Sequence, residues 1–137
     1  MSAMPDTGEF LPIIRPTLPP LDELTECVGQ SWASGVVTVG SVVREFEAEV
    51  CRRTGVRHAV GFSSCTAGLM LVPKAISLPA GGEVIVPSFT FAATAQALAW
   101  NGLVPVFCEC LRGTCALDPG DVEQNITPKT VAICPVY

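Results

Sequence analysis

Two short runs hold the residues in this sequence that could do chemistry. The first is Ser63-Ser64-Cys65-Thr66-Ala67-Gly68, small and hydroxyl-bearing residues between a strand-like stretch and a helix-like one. The first N–H groups of a helix lack intrahelical acceptors. Together with side-chain hydroxyls and the positive end of the helix dipole, they meet the requirements for holding a phosphate. The same run also suits an ordinary cap-rich turn, and taken alone that reading is the simpler. The second run is Pro87-Ser88-Phe89-Thr90-Phe91, at the carboxyl end of the next strand-like stretch. Ligands gather at such ends in open α/β sheets. An aromatic residue there stacks on a flat cofactor ring or packs into the core, and taken alone the core reading of Phe89 and Phe91 is the simpler.

The elements that must position these runs alternate in type. Residues 1–20 hold five prolines and no sustained periodicity, which reads as an extended arm. Leu21 to Trp32 is expected to be a short helix, with Asp22 and Glu23 near its N-terminal end, and 35–40 a loop. Ser41 is the expected N-cap of a helix with the apolar stripe Val42, Val43, Phe46 and Val50, closed by Gly55. A strand over 57–62 leads into the first run. A helix over 69–77 follows, with Pro73 inside it against the usual rule. Beyond the 79–82 turn come a strand over 83–87, an alanine-rich helix from Ser88 or Thr90 to Trp100, and a strand over 104–108. A short helix capped by Asp118-Pro119 and a last strand over 131–136 complete the pattern. Strands alternating with helices imply βαβ units, hence an α/β fold with a mostly parallel sheet and flanking helices.

Composition narrows the function classes. Apolar residues make up 49% of the 137 and charged residues only 15%. No apolar run reaches the roughly 18–20 residues of a membrane span, and sheets buried on both faces account for the excess. The net charge of −5 and the absence of a basic cluster denser than Arg52, Arg53 and Arg57 argue against nucleic-acid binding. Met1 to Phe10 lacks the pattern of a signal peptide. The seven cysteines are odd in number, scattered and without a Cys-x-x-Cys pair. Cys108, Cys110 and Cys115 invite a metal reading, yet the only histidine, His58, is distant in sequence, and reduced cysteines in a cytosolic protein are the simpler account.

Taken together the runs become specific. Gly55-Val56-Arg57-His58-Ala59-Val60, the serine-threonine turn and Gly82-Glu83-Val84-Ile85-Val86-Pro87-Ser88-Phe89-Thr90-Phe91 resemble, in order and spacing, the DegT/DnrJ/EryC1/StrS family. The likeness extends through 101–107, Leu117-Asp118-Pro119 and 126–130, and back to Ile14-Arg15-Pro16 and 34–40. That family comprises aminotransferases dependent on pyridoxal 5'-phosphate (PLP) that act on nucleotide-linked keto-sugars. The resemblance implies a partial fold type I large domain over 41–137, preceded by an arm and short helix over 1–40. It implies a homodimer, a nucleotide-sugar substrate and an amino-acid donor, with no nucleic-acid or membrane partner.

Residue by residue, the resemblance puts Thr66 and Ala67, after Cys65, where the cofactor phosphate is held, and Phe91 where an aromatic stacks on the pyridine ring. Thr38 and Gly40 match a loop on the substrate side. Glu109 matches a structural position that ends a strand. Cys65 replaces a usual glycine or alanine, a larger side chain that stands to crowd or tune the cofactor, and Tyr137 stands where a histidine is common. The aspartate for the pyridine nitrogen and the Schiff-base lysine are expected downstream of residue 137, and Lys74 and Lys129 match neither position. The expectation is therefore an N-terminal part of such an enzyme, without catalytic residues and inactive by itself. Three alternatives remain: a deoxygenating relative with histidine at the lysine position, a non-catalytic remnant, and a cysteine-based redox or metal module.

Overall fold

The computed structural model describes residues 16–136; most of the expected arm, with Ile14, Arg15 and Tyr137, lies outside them. The described residues form two compact units that divide between Gly61 and Phe62.

The first unit pairs α1 (Leu21–Ser34) with α2 (Ser41–Thr54). Asp22 and Glu23 complement the dipole in the first turn of α1. Its end, two residues later than the periodicity predicts, is a left-handed Gly35 whose N–H donates to the Trp32 carbonyl. Gly55 closes α2 in the same conformation, as expected. The start of α2 differs. Gly40 is the cap, its carbonyl accepting from Arg44 N–H, and Ser41 is the first helical residue with no capping bond. In the last turn the guanidinium groups of Arg52 and then Arg53 bond the Glu49 carboxylate and hold its pKa down at about 2. Both arginines are exposed, as read from the sequence.

The strand expected over 57–62 does not form. A strand needs a neighbour for its ladder, and this stretch is almost wholly exposed. Its tie to the unit is instead the Gly61 N–H on the Glu47 carboxylate at 2.8 Å.

The second unit is a three-stranded parallel sheet with β1 (Glu83–Pro87) between β2 (Val104–Cys108) and β3 (Thr130–Ile133), flanked by α3 (Cys65–Ala75), α4 (Ala93–Trp100) and α5 (Pro119–Asn125). The parallel α/β reading holds here. Val84, Ile85, Val86 and Pro87 are all buried, and with Leu98 and Leu103 they make the core. Gly82 marks where strands approach closely: a Cβ there would lie 2.8 Å from Val131 Cγ2 and 2.9 Å from the Pro79 carbonyl.

Pro73, unexpected inside a helix, sits in the last turn of α3. Only one internal bond is lost there, its ring is buried, and its carbonyl accepts from Leu78 N–H as the chain turns out. Helix α4 begins at Ala93, later than Ser88 or Thr90, because 88–92 form a bend held by Ser88 N–H on the Cys108 carbonyl. Strand β3 stops at Ile133, short of Val136, although Cys134 N–H still reaches the Ile85 carbonyl.

Asp118 caps α5 by accepting from Gly120 N–H at 2.8 Å, with Pro119 at the first position. Asp118→Ala is expected to lower the unfolding free energy by about 1 kcal/mol, read as a lower urea midpoint at unchanged slope.

Candidate functional site

The site is built where α3 begins and β1 ends. Ser64 has extended backbone and caps α3, its hydroxyl accepting from Ala67 N–H at 3.2 Å. Gly68 N–H turns to the Ser64 carbonyl. The N–H groups of Cys65 and Thr66 are left without a partner among the described residues. They lie at the positive end of the α3 dipole, where an anion is favoured.

Across from them, β1 delivers the chain into the bend that carries Phe89 and Phe91. Neither packs into the core: Phe89 is 69% exposed and Phe91 80%. Cys65, Thr66, Phe91, Thr90 and Thr94 line one cleft of about 430 Å³, bordered by the Cys134-Pro135-Val136 segment that leaves β3. That volume lies within the roughly 300–1,000 Å³ typical of small-ligand sites. Cys134 also packs against the core, and burial holds its thiol above its usual pKa.

The structure thus gathers Cys65, Thr66 and Phe91 at one cleft. Ala67 does not line it, and its N–H is already taken by the cap. Thr38 and Gly40 belong to the other unit, where they border an apolar hollow between α1 and α2, and Gly40 N–H donates to the Thr38 carbonyl at 3.1 Å. Glu109 follows β2 and works through its backbone, its N–H on the Asp121 carboxylate and its carbonyl accepting from Asp118. Lys74 and Lys129 do not line the cleft.

Sequence reasoning missed Thr94 and Cys134 as cleft residues. A threonine in an alanine-rich helix is a weak signal, and the approach of the β3 exit depends on sheet order. Cys108 is buried on β2 with its thiol pKa raised, by burial first and by the nearby Asp121 charge second. Among the described residues no three His, Cys, Asp or Glu side chains gather to hold a metal ion, and no helix is long and apolar enough to cross a membrane.

A model of the DegT/DnrJ/EryC1/StrS aminotransferase family matches residues 21–137. The chain belongs to this family. Among curated relatives, the spore coat polysaccharide biosynthesis protein SpsC of Bacillus subtilis (strain 168) is 37% identical over 132 residues, 95% of this chain and 33% of SpsC. DesI, solved in the presence of its TDP-sugar product, is 43% identical with a TM-score of 0.78, covering 88% of this chain and 31% of DesI. Spr1654 of Streptococcus pneumoniae in its PMP form is 32% identical with a TM-score of 0.81, covering 91% of this chain and 31% of its own, and it is also solved in a PLP form. The chain spans about a third of the length of these relatives. Over that third these solved relatives share the α/β fold with its small parallel sheet and flanking helices, that of fold type I aminotransferases.

Proposed function

We propose that this chain supplies the cofactor-phosphate cup and ring-stacking residue of a PLP-dependent aminotransferase acting on nucleotide-linked keto-sugars. The observation that carries the reading is the pairing, in one cleft, of an open helix N-terminus at Cys65-Thr66 with the exposed Phe91. The donor set fits the group. Two N–H groups and the Thr66 hydroxyl suit a phosphate dianion, and an unburied aromatic face suits a pyridine ring. When bound, PLP acts as the electron sink for carbanions formed during amino transfer. This chain's own residues bind and orient it: Thr66 and the α3 N-terminus hold the phosphate, and Phe91 fixes the ring plane.

By the same reading, residues 41–137 are part of the large domain, and Thr38 and Gly40 face the substrate side. The partners are a nucleotide-linked keto-sugar, an amino-acid donor and a second copy in a cytoplasmic homodimer. Family membership supports these assignments, as do the many exposed apolar side chains, Trp32, Val37 and Trp100 among them, which suit an assembly. Neither lysine of the 137 borders the cleft, so these residues alone are expected to show no amino transfer.

Titration of the chain with PLP, followed by the circular dichroism induced in the bound ring, tests the reading. Thr66→Val keeps the shape and removes the hydroxyl. It is expected to weaken binding about ten-fold, since a hydrogen bond to a charged group is worth roughly 1.5–3 kcal/mol. Inorganic phosphate should compete with PLP in the wild-type chain. Wild-type binding retained in Thr66→Val, with no phosphate competition, would falsify the cup. Amino transfer from glutamate to a nucleotide-linked keto-sugar by these 137 residues alone would overturn the expected inactivity.

A further inference from the structure

Thr94 is the one polar residue on the inward face of α4. Ala93, Ala97 and Leu98 share that face with it, and Thr94 itself is 7% exposed. A hydroxyl buried among apolar neighbours is unfavourable unless it is hydrogen-bonded. Here it meets Thr90 Oγ1 at 3.0 Å. The backbone N–H of the same residue donates to the Phe91 carbonyl at 3.0 Å. Helix α4 has no side-chain cap at Ala92, so Thr94 supplies two ties between the helix and the bend that precedes it. These ties matter for Phe91, because a side chain 80% exposed has little packing of its own to hold it.

We infer that Thr94 is a positioning residue: through the Thr90 hydroxyl and the Phe91 carbonyl it sets the Phe91 ring at the cleft for stacking on a cofactor ring. The inference rests on the PLP reading given under Proposed function. It deepens that reading by adding a residue that need not touch the cofactor to govern its binding. Valine at this position has nearly the same shape and lacks only the hydroxyl, so Thr94→Val removes one tie and keeps the backbone one. Serine keeps both.

The experiment is a PLP titration of the 137-residue chain as wild type, Thr94→Val, Thr94→Ser, Phe91→Ala and the Phe91→Ala/Thr94→Val double variant. Thr94→Val is expected to raise the Kd about five-fold, the share of one hydrogen bond, and to weaken the induced circular dichroism. Thr94→Ser should bind as wild type does. In the Phe91→Ala background the Thr94→Val effect should vanish, as it must if Thr94 acts through that ring. Unchanged binding in Thr94→Val overturns the inference. So does the same five-fold loss in both backgrounds, which would mean Thr94 acts on the cup directly.

Amide hydrogen exchange across residues 88–94 reads the tie without any cofactor. Faster exchange in Thr94→Val than in Thr94→Ser supports it, and equal exchange overturns it. A wild-type chain that binds no PLP overturns the cofactor reading instead, and with it the role assigned to Thr94, so the two failures are told apart.

Discussion

Ile85→Ala is expected to destabilise the second unit by about 2–5 kcal/mol, the range for truncating a buried large aliphatic residue. Ile85 is fully buried at the middle of β1, the central strand. Neighbours on both sides are paired in register, Val106 on β2 and Ile133 on β3, so the backbone has little freedom to collapse into the space left behind. Total stabilities of small domains run to only about 5–15 kcal/mol, so the loss would take a large share. Urea unfolding followed by far-ultraviolet circular dichroism reads it as a lower midpoint at similar slope. Val104→Ala on edge strand β2, where the side chain is 48% exposed, serves as the control and should cost much less. Equal costs at the two positions would mean that the sheet is covered differently from the arrangement described here.

The parts of the fold legible in the sequence are those fixed by local chemistry. Glu83–Pro87 and Val104–Cys108 are strands at the expected bounds, since short apolar runs that follow glycine-containing turns leave few alternatives. Gly55 ends α2 as expected because a left-handed residue there favours glycine. Asp118-Pro119 caps α5 for equally local reasons. What escaped depends on partners. The 57–62 stretch has strand-like residues and no neighbour to pair with among the described residues. Ser41 looks like a cap by type, yet the Gly40 carbonyl already takes the first helical bond. At the cleft, the turn chemistry by itself pointed to Thr66 only as one of two readings, and Phe91 was singled out by the family resemblance against the simpler core reading; the structure puts both on one cleft. The exposure of Phe89 and Phe91 was not readable, since the sequence does not say which side of a bend faces solvent. Thr94 was invisible for the same kind of reason: its hydroxyl matters only once the bend brings Thr90 within 3.0 Å.

Phe91→Ala should show the opposite signature to Ile85→Ala, a loss of binding at unchanged stability. With 80% of the side chain exposed, truncation removes little packing, and the urea midpoint should hold within the ~0.5 kcal/mol typical of surface substitutions. A ring stacked on a planar heterocycle is worth roughly 1–3 kcal/mol by alanine substitution, so the Kd for PLP should rise about ten-fold or more. Phe91→Tyr keeps an aromatic face and should retain most of the affinity. Phe89→Ala provides the local control: that ring is also exposed and on the same bend, but it does not line the cleft with Thr66. Equal losses of PLP affinity in Phe89→Ala and Phe91→Ala would point to the shape of the bend rather than to stacking. A fall in stability and affinity together in Phe91→Ala would return Phe91 to the simpler role of a packing residue, and leave the proposed phosphate cup at Cys65-Thr66 to be judged by the Thr66→Val titration alone.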